Sequence, residues 1–132
     1  MNSATHVTIL VVIGLLLSTL PLAAADSDMS QEYSGCMDKS NGNTAGMTDC
    51  IAAETKRQDA RLNENYKRLV SKLSAKRKNT LQGAQRAWVK FRDANCSFYS
   101  DPDGGSAALL DGRDCLLQAT ANRATELKNL TQ

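Results

Sequence analysis

The tightest constraint on this 132-residue chain is the placement of its cysteines. Cys36, Cys50, Cys96 and Cys115 all follow an apolar leader, and the sole histidine, His6, stands at the head of that leader. Val7 to Leu17 is almost wholly apolar, Pro21 breaks the run, and Ala23-Ala24-Ala25 has the small residues of a cleavage site. This predicts a secretory signal peptide over residues 1–25. Its first residues lack Lys and Arg. The apolar run, extended to Leu22, is short for a membrane span, which leaves a retained anchor as the second reading. Asp26, not a cysteine, stands directly after the predicted cleavage site, so no lipid anchor is available at that point. The mature chain is expected to run from Asp26 to Gln132 as one exported domain without a membrane span, periplasmic or secreted. An even number of cysteines in a small exported domain reads as two disulfides. Zinc is disfavoured, because no C-x-x-C pair exists and no histidine follows residue 6.

Three pairings connect four cysteines. On one continuous helix, Cys36 and Cys50 would lie about 21 Å apart, whereas a disulfide needs Cα atoms within roughly 7 Å. Asn41-Gly42-Asn43 between them supplies a reversal. Cys96 and Cys115 flank Asp101-Pro102-Asp103-Gly104-Gly105 in the same manner. The predicted bridges are therefore Cys36–Cys50 and Cys96–Cys115.

Between these punctuation marks the apolar residues recur at helical spacing, and no alternating strand pattern of useful length occurs. A short helix is predicted near 31–39 and a long one over about 44–73, where Leu62, Tyr66, Leu69, Val70 and Leu73 form a stripe. A third helix, capped from Ser74 or from Asn79-Thr80, runs to about Tyr99. Its Leu81, Ala84, Trp88, Phe91 and Asn95 share a stripe, with the only tryptophan expected to anchor the core. Residues 100–112 read as irregular. Asp111 then caps a last helix with Leu116, Thr120, Arg123, Leu127 and Leu130 inward. The expected fold is all-α: a small domain of about four helices stapled by two disulfides.

Charge is segregated. Lys56 to Arg92 holds twelve Lys and Arg against Asp59 and Glu64, while residues 26–55 and 93–132 are net acidic. A basic helical face is usually a solvated one, but it could engage anionic lipid, glycan or nucleic acid. Catalytic constellations are missing: no histidine follows residue 6 to activate a nucleophile. The Asp101–Gly112 segment fails the EF-hand spacing. No enzyme activity, cofactor or metal is expected. Polar residues beside the stripes (Asp59, Asn63, Gln85, Arg92, Asp93 and Arg123) read as clamps between helices, with Arg92 placed to lie over Trp88.

The ordered set Cys50, Asp59-x-x-Leu62-Asn63-x-x-Tyr66, Leu81, Gln85-Arg86-Ala87-Trp88-x-x-Phe91-Arg92-Asp93-x-x-Cys96, Gly104-Gly105-Ser106 and Cys115-x4-Thr120-x-x-Arg123-x3-Leu127 resembles the LprI-like family of exported bacterial proteins. The resemblance spans about Cys36 to Leu127. It implies a helical, disulfide-stapled envelope domain that binds and inhibits lysozyme without catalysis of its own. Because animal lysozymes are strongly basic, the contact is expected on an acidic part of the chain. The candidate loop is Asp101, Asp103, Gly104, Gly105 and Ser106, with Arg113 placed to pair with a carboxylate of the enzyme's cleft.

Overall fold

The computed structural model describes residues 29–132; the predicted signal peptide lies outside the described residues. Four helices follow in order: α1 Gln31–Ser40, α2 Thr44–Lys72, α3 Ala75–Tyr99 and α4 Gly105–Asn129. Both predicted disulfides are formed, Cys36–Cys50 and Cys96–Cys115.

Local chemistry sets most boundaries. The Ser30 hydroxyl caps α1 by accepting from the Tyr33 N–H at 3.1 Å. Asn41, in the left-handed region at φ 46°, ends that helix. Asn43 caps α2 by accepting from the Gly46 N–H at 3.0 Å. The α2–α3 turn is only Leu73 and Ser74, so Ser74, not Asn79, stands at the start of α3.

The last helix departs from expectation. It begins at Gly105, and Asp111 lies inside it instead of capping it. Ala107-Ala108-Leu109-Leu110 is a run of good helix formers, and Ala108 is buried. Gly105 adopts φ +65° at the junction, a conformation that glycine adopts without strain. Gly112 allows close approach of α4 to the end of α3: a Cβ there would meet the Ser100 Oγ at 1.7 Å. The glycines that looked like loop residues are thus steps in helix entry and packing.

Helix α4 is the centre of the fold, packed along α2 on one side and α3 on the other. It runs parallel to α2, because Asn65 Nδ2 donates to the Ala124 carbonyl at 2.9 Å and Lys72 Nζ to the Thr131 carbonyl at 2.6 Å. It runs antiparallel to α3, where Gln85 meets Arg123 and Cys96 meets Cys115. Leu62, Leu69, Ala124 and Leu127 form the core, with Tyr66, Leu73, Leu81 and Trp88 packed against it.

Two sequence expectations shift accordingly. The stripe that α3 turns inward is Leu81, Gln85, Trp88, Arg92 and Cys96, so Phe91 is 67% exposed and Trp88 only half-buried. Leu130, placed on the inner stripe of α4, follows the helix end and is exposed. Trp88→Ala should therefore cost about 3 kcal/mol, the lower end for a deleted core aromatic. Urea unfolding followed by circular dichroism checks this; a loss below 1 kcal/mol would remove Trp88 from the scaffold.

Candidate functional site

The family-motif residues named above are brought together mainly as scaffold. Two guanidinium groups lie over the Trp88 ring, Arg92 at 5.0 Å and Arg123 at 5.8 Å from its centre. Arg123 Nε donates to Gln85 Oε1 at 3.0 Å, and Arg123 also pairs with Glu126 at 2.6 Å. Arg92 Nη1 donates to Thr120 Oγ1 at 3.4 Å and pairs with its neighbour Asp93. The interhelical links therefore run from Arg123 to Gln85 and from Arg92 to Thr120. Among the described residues, Asp59 accepts only from Asn63 on its own exposed face, at 3.1 Å, and Asp93 only from Arg92. Tyr66 packs against the core.

A second clamp went unnoticed in the sequence. Glu54 is fully buried on α2. Its carboxylate accepts from the Ser30 N–H at 2.9 Å, the Ser30 hydroxyl at 2.6 Å, Arg57 Nε at 2.7 Å and Gln58 Nε2 at 2.7 Å. Burial pushes the carboxyl upward, but these donors outweigh it and hold the pKa at about 2. Nearby, burial and then the negative charges of Asp114 and Glu54 raise the Tyr33 phenol. The signal was present: Ile51, Glu54, Gln58, Leu62, Asn65 and Leu69 continue one helical stripe through three polar residues. A stripe position occupied by a carboxylate implies buried donors around it.

The apex where α3 passes into α4 has a different character. Phe98 is 82% exposed and meets Tyr99 edge-to-face at 5.7 Å between ring centres. Tyr99 separates two shallow depressions. One, of about 590 Å³, reaches Asp101, Pro102, Gly104 and Asp111. The other, of about 520 Å³, reaches Asp114, Gln118 and Asn122. Asp101 Oδ1 accepts from the Asp103 N–H at 2.9 Å, which shapes the short loop. The predicted loop residues Asp101, Asp103, Gly104, Gly105 and Ser106 are all exposed here. Arg113 is not with them: two residues beyond Asp111 on a helix it lies about 200° round, and its Nε is buried without a hydrogen-bond partner among the described residues. Phe98 and Tyr99 were absent from the sequence candidates. Since Arg92 and Cys96 set the inward face, Phe98 lies off that face, and this was the available signal; Tyr99 falls on the face by spacing and is exposed because α3 ends there.

The basic segment is partly consumed within the fold. Arg57 pairs with Glu54, Arg68 with Glu64, and Arg61 bonds Gln58 and Thr125. Among the described residues no helix is long and apolar enough to cross a membrane. No cluster of three or more metal-ligating side chains occurs among them.

The family model described as "Lysozyme inhibitor LprI" matches residues 36–127, which takes in both disulfides, the second half of α1, the whole of α2 and α3, and α4 as far as Leu127. The chain belongs to the LprI family. An uncharacterized protein of Rhizobium meliloti (strain 1021) is 30% identical over 97 residues, 63% of this chain and 70% of that protein. No solved structure matches the chain. Within the LprI domain the densest run of motif residues, 85–96, supplies the α3 side of the α3–α4 seam. The apex lies just beyond that run.

Proposed function

We propose that this LprI-family chain is exported by a signal peptide at residues 1–25, works in the periplasm or outside the cell, and inhibits lysozyme as a binding protein without catalysis of its own. The contact surface in this proposal is the α3–α4 apex. The observation that carries it is the exposed Phe98–Tyr99 pair bordered by Asp101, Asp103 and Asp111. An aromatic anchor within a charged rim is the usual anatomy of a protein interface hot spot. The acidic rim suits a basic enzyme, whose cleft carries the glycoside-cleaving carboxylates. Like charge disfavours contact through the outer faces of α2 and α3.

The test is lysozyme activity on cell-wall substrate with purified protein and three variants. Phe98→Ala should raise the inhibition constant about 30-fold, the effect of losing a 2 kcal/mol hot spot. Asp101→Asn with Asp103→Asn and Asp111→Asn should slow association, most at low salt. Replacing Lys76, Arg86 and Lys90 by Gln should leave inhibition intact. Absence of inhibition at micromolar protein removes the proposal, and weakening by the Gln variant alone moves the contact to the basic helices.

A further inference from the structure

The far end of the domain contains an apolar groove that the lysozyme proposal does not use. The last turns of α2 and α4 and the first turns of α3 leave a cavity of about 270 Å³ between them. Leu69, Leu73, Leu81 and Leu130 line it, and Ala84 forms part of one wall. Leu69 is buried and Leu130 is 57% exposed, so the apolar surface runs from the core to solvent.

The polar groups at the groove differ in how far they are satisfied. Arg123 and Glu126 neutralise one another at 2.6 Å, and Arg123 also bonds Gln85. Arg77 is exposed and has no carboxylate or hydrogen-bond partner among the described residues. Its sequence neighbours are Lys76 and Lys78, and no acidic residue occurs between Glu64 and Asp93. An apolar slot beside an uncompensated cation selects an apolar ligand with a negative head.

We propose that this groove binds a single-chain anionic amphiphile, a medium-chain fatty carboxylate, with its tail among the leucines and its head at Arg77. At about 30 Å³ per carbon-sized group, the space of a liquid water, the cavity holds roughly nine such groups. It is bounded by the Leu73–Ser74 turn and the end of α4, which suits one short chain better than a partner helix. Leu81 and Phe98 are 17 residues apart on α3, about 26 Å, so this site and the apex are separable.

Decanoate, decanol and inorganic phosphate are titrated into the purified protein below the micelle concentration. Trp88 fluorescence and calorimetry provide the readouts. Trp88 is the only tryptophan and stacks on Arg123 of the groove wall, so a ligand that displaces Arg123 changes its emission. Decanoate should saturate one site in the submillimolar range, decanol should bind at least tenfold more weakly, and phosphate should produce no response. Arg77→Gln should weaken decanoate about tenfold and leave decanol unchanged. Ala84→Phe, at an exposed wall position, should fill the groove and abolish both while preserving the melting temperature and any lysozyme inhibition. No saturation by decanoate, or equal binding by Ala84→Phe, would overturn the site. Equal affinity for decanoate and decanol would overturn the anionic head.

Discussion

Glu54→Ala should destabilise the domain by about 3–5 kcal/mol, the range for leaving a buried charged network without its partner. For a domain of this size the melting midpoint should fall by at least about 12 °C. The carboxylate is fully buried and takes four hydrogen bonds from Ser30, Arg57 and Gln58. Two come from the residue that caps α1, so its loss frees that helix as well as unsettling α2. The pH dependence has a fixed sign. Because the folded pKa is lowered from 4.5 to about 2, the stabilisation is complete above the ordinary value and is lost as pH falls through about 2. The shift corresponds to about 3 kcal/mol. Urea unfolding of wild type and Glu54→Gln should show a gap that is wide at pH 7 and narrows steadily toward pH 2.5. A constant gap across that range would mean the carboxylate charge is not what the network stabilises.

The second large effect concerns the link between α3 and α4. Replacing Cys96 and Cys115 by Ser opens a 19-residue loop and should cost about 3 kcal/mol on chain entropy. Opening Cys36–Cys50, a 14-residue loop, should cost about the same. Their functional consequences should differ. Besides its bridge, α3 is held to α4 by half-buried Trp88 and the two arginine bonds. Without Cys96–Cys115 the end of α3 should fray, with faster amide exchange from Asp93 to Tyr99. Phe98 and Tyr99 would lose their fixed position, and inhibition should drop more than tenfold. The Cys36–Cys50 variant, equally destabilised, should retain inhibition at temperatures where it stays folded. Equal inhibition by both variants would separate the apex from the function.

Much of the fold was legible from local rules. Asn41-Gly42-Asn43 can only reverse the chain, and that reversal brings Cys36 to Cys50. Ser30 and Asn43 mark helix starts because their side chains complete N–H groups that no preceding turn can satisfy. The start of α4 was misplaced for an equally local reason. Gly104, Gly105 and Gly112 suggested loop, but glycine is also used where two helices come too close for a Cβ, and that depends on where Ser100 sits.

The candidate site was half legible. Asp101 and Asp103 stood out as acidic residues in a turn, whereas Phe98 and Tyr99 did not, since aromatics on a helix are ordinarily core. The sequence by itself determined the number and order of the helices, the first two turns, the bridges and the segregation of charge, because propensity, capping and loop closure act over a few residues. Only the tertiary structure decided which face of each helix is buried. Two stripes on α3, one through Phe91 and one through Arg92, offer plausible inner faces. Arg92 and Gln85 face inward because Thr120 and Arg123 on α4 meet them with hydrogen bonds. The same packing on α4 leaves Phe91 and Phe98 in solvent, and it is the docking of Ser30 against α2 that supplies two of the donors around buried Glu54.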